Sequence, residues 1–306
     1  MVSTPVLFIT FARPEYASQS FAAIKKAQPK KLYFYSNKAR DDRPDEVKRN
    51  EEVRSYVKQI DWDCDVVTWF RDEYVDIYTS LWGAMDWLFD NEERGIVLEE
   101  DCVASLAFFD YCETMLNLYQ NEKQISIISG NNRTPQYSPK NVDCFLSCQV
   151  DIYGWASWKD RWIEATKDRT LKEWPHYRKK LHKYFGQWPA ALWYGFWWQR
   201  MYKIIDHFNP WDSITSYNRV RCNTYGLIPV CNLVKDIGKY GVHHAVTSSG
   251  VTELDYEIGD VGDLYTKSKW HHLSTDIKYE KRHFRAIMKR DLKYTITKIF
   301  TRSIIG

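Results

Sequence analysis

Three adjacent carboxylates close the segment GIVLEEDC: Glu99, Glu100 and Asp101. Four residues that read as a buried strand run straight into them, and like charges side by side repel. Two readings account for the cluster. In one it is a solvated strand end whose acids favour the N-terminus of the next helix. In the other it is a divalent-metal and nucleotide site. Mg²⁺ and Mn²⁺ take one or two carboxylates together with substrate phosphates, and a bound cation removes the repulsion.

The elements that must position the cluster alternate along the first half. PVLFIT (5–10), KLYFYS (31–36), CDVVTWF (64–70), GIVLEED (95–101) and ISIIS (125–129) read as strands. Between them RPEYASQSFAAIKKA, PDEVKRNEEVRSYVKQI (44–60), VDIYTSLWGAMDWLFDNEE (75–93) and SLAFFDYCETMLNLYQ (105–120) read as helices. Pro14 suits a first helical turn and Ser105 an N-cap. This alternation predicts an α/β fold, a Rossmann-like, mostly parallel sheet flanked by helices. Such sheets bind ligands beyond the carboxyl ends of their strands, which puts TFARPEY, SNKAR and EEDC on one edge.

The second half changes character. GNNRTPQYSPKN (130–141) is a polar loop and CFLSCQV a strand. From Tyr153 to Asn209 the chain reads as mostly helical and crowded with tryptophan. WDSITSYNRVRCNTYG (211–226) is expected to be helical, and LIPVCNLVKDIGKYGVHH returns to a strand and a glycine-punctuated loop.

Composition narrows the class. Hydrophobic content of 44% and charge of 27% over 306 residues are those of a soluble globular chain. A net charge of +3 is too mild to imply nucleic acid as a partner. The 14 Trp, 21 Tyr and 14 Phe suit either a bulky core or stacking on bases and sugar rings. Seven cysteines without paired spacing make no disulfide framework. Cys144 and Cys148 lack a second Cys/His pair for zinc, so a reduced, cytoplasmic chain is expected. The start lacks the features of a signal peptide, and no apolar window is long enough to span a membrane. From Lys267 onward 11 Lys/Arg stand against three acids. There KYEKRHFRAIMKRDLKYTITKIF mixes the bases with Phe284, Ile287, Met288, Leu292 and Ile299. It reads as a solvated terminal helix or as one lying on anionic lipid at the inner face of a membrane.

GIVLEEDCVASLAFFDYCETML resembles the acidic motif of GT-A-fold glycosyltransferases. The nearest pattern is the medial-Golgi N-acetylglucosaminyltransferase that initiates complex N-glycans, with its bacterial relatives. There too an apolar strand runs into three acids and then an aromatic helix. SLWGAMDWLF resembles the family's Trp-Ala helix, and VLFITFARPEY its first strand. NPWDSITSYNR resembles its Trp-Asp segment, NLVKDIGKYGVHH its diphosphate-closing loop and VDIYGWASW its acceptor-side segment. The likeness spans about residues 5–245.

It implies a metal-dependent, inverting transfer from a UDP-sugar, UDP-N-acetylglucosamine being one such donor, to a glycan or lipid-linked acceptor. By the same likeness Asp101 holds Mn²⁺ (or Mg²⁺). Glu99 and Glu100 meet the ribose or a metal-bound water, although this chain has Glu-Glu-Asp where the family has Glu-Asp-Asp. His244, or its neighbour His243, meets the metal or the β-phosphate when the loop closes. Thr10, Arg13, Ser36, Asn37 and Tyr78, with Thr79, line the nucleotide. Asp212 is the base that takes the acceptor hydroxyl's proton, and one base with one in-line attack means inversion. Tyr153, Gly154, Trp155 and Trp211 line the sugar and acceptor pocket. Each has a plainer reading as well: a surface arginine, a turn, a helix cap for Asp212, solvated histidines.

The expected organisation is a nucleotide-sugar-binding half (1–130), an acceptor-binding and catalytic half of the same domain (131–265) and a basic helical tail (266–306). Two other classes compete. A sugar nucleotidyltransferase usually carries a glycine-rich phosphate loop after its first strand, and FARPEY has no glycine. A non-catalytic carbohydrate-binding protein would use the tryptophans but has no need of three acids on a nucleotide-type sheet.

Overall fold

The structure, a computed structural model, describes residues 2–140, 142–169, 178–202, 211–238 and 275–302, without the side chains of 201–202 and 290–302. The first half follows the expected alternation. Its elements are β1 Val6–Thr10, α1 Pro14–Ala27, β2 Lys31–Ser36, α2 Pro44–Ser55, β3 Asp65–Phe70, α3 Ile77–Asn91, β4 Arg94–Glu99, β5 Cys102–Ala104, α4 Leu106–Leu118 and β6 Ile125–Ser129. Local punctuation sets their bounds. Pro14 opens α1, and Gln28 closes it in the left-handed region at φ 49°. The Asp76 carboxylate accepts from the Tyr78 and Thr79 amides at 2.9 and 3.1 Å and starts α3. Ser105 does the same for α4 through the Phe108 amide at 3.2 Å. The helix expected over 44–60 is shorter, because a 3₁₀ turn over Tyr56–Gln59 rolls Tyr56 inward onto Phe21.

One sheet collects strands from both halves in the order β3-β2-β1-β4-β8-β6-β9-β7. The later strands are β7 Cys144–Ser147, β8 Trp155–Trp158 and β9 Tyr225–Pro229. β1, β2, β3 and β4 pair in parallel, as do β6 and β9. The chain therefore builds the expected mixed α/β fold with a mostly parallel sheet between helices. Pleating divides each strand between two cores. Val6 and Phe8 of β1 face one core with Phe21 of α1 and Phe108 of α4. Leu7 and Ile9 face the other, with Leu88 of α3 and Ile214 of α8, which spans Trp211–Cys222.

Two expectations in the second half need correction. The stretch 155–158 is strand, not helix, and lies antiparallel between β4 and β6. Trp155, Trp158 and Trp162 are spaced three and four apart, which mimics a helical face. In fact β8 puts Trp155 and Trp158 on opposite faces, one in each core, and Trp162 joins Trp155 from α5, Lys159–Thr166. The helix expected over 211–226 stops at Cys222. Asn223 turns into the left-handed region at φ 56°, and Tyr225 begins β9.

A small ribbon completes the frame. β10, Val234–Asp236, runs antiparallel to β5, with Asp236 opposite Cys102. The polar loop after β6 holds the ribbon down: Asn131 donates to the Val234 carbonyl at 2.8 Å, and the Asn132 amide to the Asn232 side chain at 2.7 Å. Around the edge pack α6 (Arg178–Phe185), α7 (Trp188–Tyr202) and α9 (Ile277–Arg302). Phe284 and Ile287 of α9, expected to face solvent or lipid, are buried against the protein, while Lys278, Lys281, Arg282 and Arg285 stay exposed. Among the described residues no helix is long and apolar enough to cross a membrane.

Candidate active site

Strand alternation decides what the three acids meet. Glu99 faces the side of α3 and α8 with Val97. Glu100 turns toward α1, where it accepts from the Phe11 amide at 2.8 Å and from Arg13 Nε at 2.5 Å. Arg13 Nη2 lies 2.9 Å from Asp101, so one guanidinium bridges two acids. The backbone is pinned as well. Ser20 Oγ donates to the Glu100 carbonyl, and the Ile237 amide to the Asp101 carbonyl, each at 2.9 Å.

The β5–β10 ribbon brings a further carboxylate, Asp236. A β-carbon on Gly238 would collide with the Asp101 carboxylate and lie 3.1 Å from Asp236 Oδ1. Two carboxylates thus converge where only a glycine leaves room. Among the described residues no three His, Cys, Asp or Glu are grouped to hold a metal. Asp101 and Asp236 suit instead the smaller carboxylate set that Mg²⁺ or Mn²⁺ completes with substrate phosphates.

Charge at this edge is balanced in two ways. Burial, and after it the Asp101 charge, pushes the Glu99 carboxyl up to about 8 against the pull of Arg13. Burial and the neighbouring Asp101 charge thus favour the protonated form of Glu99. Burial also raises Glu100, opposed by Arg13 and the Phe11 amide. Burial works against the Arg13 charge too, but Asp101 and Glu100 outweigh it and hold the guanidinium above its ordinary value.

Glu99 also lines a cavity of about 270 Å³ between the sheet edge, α7 and α8. Tyr153, Phe185, Tyr194, Trp197 and Trp198 supply aromatic wall, and Arg133 and Asp151 pair with each other there. Asp212, Ser216 and Arg219 enter at i, i+4 and i+7, one face of α8. Asp212 is exposed on this face. Desolvation nonetheless raises its carboxyl above the usual carboxylate range, against hydrogen bonds from Ser213. Tyr78 lies close enough for the Asp212 charge to add to burial in raising its hydroxyl.

The remaining candidates fall into three groups. Thr10, Ser36 and Asn37 spend their polar atoms inside the protein. Thr10 Oγ1 donates to the Tyr35 carbonyl at 2.9 Å, and Ser36 Oγ accepts from Arg54 Nε at 3.2 Å. Asn37 clasps residue 75, donating to its carbonyl at 2.8 Å and accepting from its amide at 3.3 Å. Thr79 serves the α3 cap. Trp155 and Trp211, expected to line a sugar pocket, are core residues 1% and 5% exposed, 5.6 Å apart between ring centroids. The reason is the β8 strand, which turns Trp155 under α8. Gly154 beside it has φ +83°, and a side chain there would strike Val234, so it serves a close backbone approach. Of that segment Tyr153 reaches the cavity. His243 and His244 lie outside the described residues.

Sequence reasoning missed Asp236, Arg219 and Gln149. Strands as short as β5 and β10 carry no readable period, so nothing announced the pairing that delivers Asp236. Arg219 ends the NPWDSITSYNR segment seven residues after Asp212, and a helical-face count from that aspartate would have found it.

Comparison with solved structures gives weak likenesses of shape. HddC from Yersinia pseudotuberculosis aligns with a TM-score of 0.32 and 11% identity, over 57% of this chain and 81% of its own. A UDP-glucose pyrophosphorylase complexed with UDP-glucose gives 0.31 and 9%, over 56% and 81%. The glycosyltransferase GlyE of Streptococcus pneumoniae TIGR4 gives 0.31 and 9%, over 59% and 43%. No family model and no curated protein matches the chain. At such scores the likeness assigns no function to this chain.

Proposed function

We propose that this protein is an inverting glycosyltransferase that takes a sugar from a nucleoside-diphosphate donor, a UDP-sugar such as UDP-N-acetylglucosamine. One observation carries the reading: Glu99, from the acidic strand end, and Asp212 line one aromatic-walled cavity. The diphosphate would lie at the strand edge beside Arg13. Asp101 and Asp236 would hold Mn²⁺ or Mg²⁺, which when bound supplies Lewis-acid stabilisation of the leaving diphosphate.

The chain's own residues do the rest. Arg13 fixes the Glu100 and Asp101 carboxylates. Protonated Glu99 donates a hydrogen bond to a ribose or sugar hydroxyl. Tyr153 and Trp197 face the sugar ring. Asp212 takes the proton of the acceptor hydroxyl as that oxygen attacks the anomeric carbon. The bond from that carbon to the phosphate oxygen breaks on the opposite face. The raised affinity of Asp212 for a proton matches that task.

Incubation with a panel of nucleotide sugars and Mn²⁺, followed by proton NMR, tests this. Release of a nucleoside diphosphate with an inverted anomeric product is expected. A product that keeps the donor's configuration removes Asp212 from the role. Pyrophosphate-dependent formation of nucleoside triphosphate and sugar phosphate would make the protein a sugar nucleotidyltransferase instead.

A further inference from the structure

Two arginines line the cavity, and Arg133 pairs there with Asp151. Arg219 is the exception. It is 4% exposed, joins no ion pair among the described residues, and its Nε has no hydrogen-bond partner. Burial outweighs the through-space attraction of Tyr184 and Asp212 and holds its guanidinium below the ordinary value. A buried charge with no ion pair in contact is costly, and proteins tolerate it mainly where something else supplies the opposite charge.

A second donor in the same wall is in the same condition. Gln149 Nε2 is buried without a partner, while its Oε1 is held by the Tyr194 hydroxyl at 2.5 Å. Arg219 comes from α8 and Gln149 from the loop after β7, so the two arise independently. Both are donors, and their common complement is an oxyanion. Phe185 and Tyr194, ring centroids 4.8 Å apart and stacked, line the same cavity.

We propose that this cavity binds an acidic saccharide, whose carboxylate or phosphate oxyanion is held by the Arg219 guanidinium and the Gln149 amide. Arg219 stands two turns along α8 from Asp212, about 10 Å of helix rise. With Asp212 as the base, the oxyanion therefore belongs to the acceptor, and only that last step rests on the transferase reading.

The test is ligand-observed NMR titration of the full chain with glucuronic acid, glucose 6-phosphate and glucose, without donor or metal. At least one anion binds about tenfold or more tightly than glucose, as a charge-assisted hydrogen bond requires. Which anion it is distinguishes carboxylate from phosphate. Arg219→Met abolishes the preference and Gln149→Ala weakens it. Glucose binding as well as both anions overturns the proposal, as does an unchanged preference in Arg219→Met.

Arg219→Met keeps the aliphatic stem and removes the unpaired charge, so it melts no lower than the parent. Marked destabilisation would show that Arg219 serves the fold and would also overturn the proposal. The titration needs no turnover. A protein that binds the acid but transfers no sugar loses only the transferase reading. One that transfers to neutral acceptors and ignores the anions loses only this proposal.

Discussion

At the edge of β4, Glu99, Glu100, Asp101 and Asp236 gather around one guanidinium, while in the adjoining cavity Asp212 and Arg219 share a helix face without pairing. The edge is over-determined: Arg13 bridges two acids, Glu99 favours its protonated form, and Ser20 and Ile237 pin the backbone. Such a site presents a fixed set of oxygens. The cavity is the reverse. Arg219 is held by burial while Asp212 stands exposed on the same helix face, and neither joins an ion pair among the described residues. Under the proposed function, recognition would belong to the rigid edge and proton transfer to Asp212.

That division can be broken by mutation. The largest effect is expected from Asp101→Ala, which should reduce metal-dependent transfer to background while the thermal unfolding profile stays close to the parent's. Next comes Asp212→Asn. A positioned general base contributes roughly 10²- to 10⁴-fold, so the rate should fall by that much with nucleotide affinity unchanged.

Trp155→Ala asks whether the tryptophans belong to the pocket or to the core. Deleting a buried tryptophan costs about 3–5 kcal/mol, which urea unfolding would register as a lowered midpoint. A pocket residue would instead alter KM and leave the midpoint in place. The smallest effect concerns Glu99. Its carboxyl is raised to about 8 in the folded chain, against about 4.3 in an unfolded one. The folded state therefore binds the extra proton, and the stability tied to Glu99 is full below about 4.3 and lost as pH rises from there through about 8. Glu99→Gln should melt several degrees above the parent at pH 9 and alongside it at about pH 4.

The parts of this molecule legible in its sequence were those with local causes. The apolar runs of β1, β2 and β6, the Pro14 start of α1 and the Ser105 cap of α4 each declare themselves within a few residues. The three acids did so too, as an electrostatic anomaly that needed a reason. In the structure Arg13, paired with Glu100 and Asp101, relieves part of that repulsion. What stayed hidden depends on partners far along the chain. Trp155 looked like a helical, ligand-facing aromatic until β8 was seen between β4 and β6. Asp236 reaches the acids only through a three-residue ribbon. The isolation of Arg219 is a property of its surroundings, which no spacing of residues records.

Calorimetric titration of UDP in the presence and absence of Mn²⁺, on the parent, Asp101→Ala and Asp212→Asn, tests the central claim most directly. Metal-enhanced UDP binding should survive Asp212→Asn intact and disappear in Asp101→Ala. Full binding in Asp101→Ala, or loss of it in Asp212→Asn, would contradict the assignment of nucleotide recognition to the acidic edge and of proton transfer to the cavity.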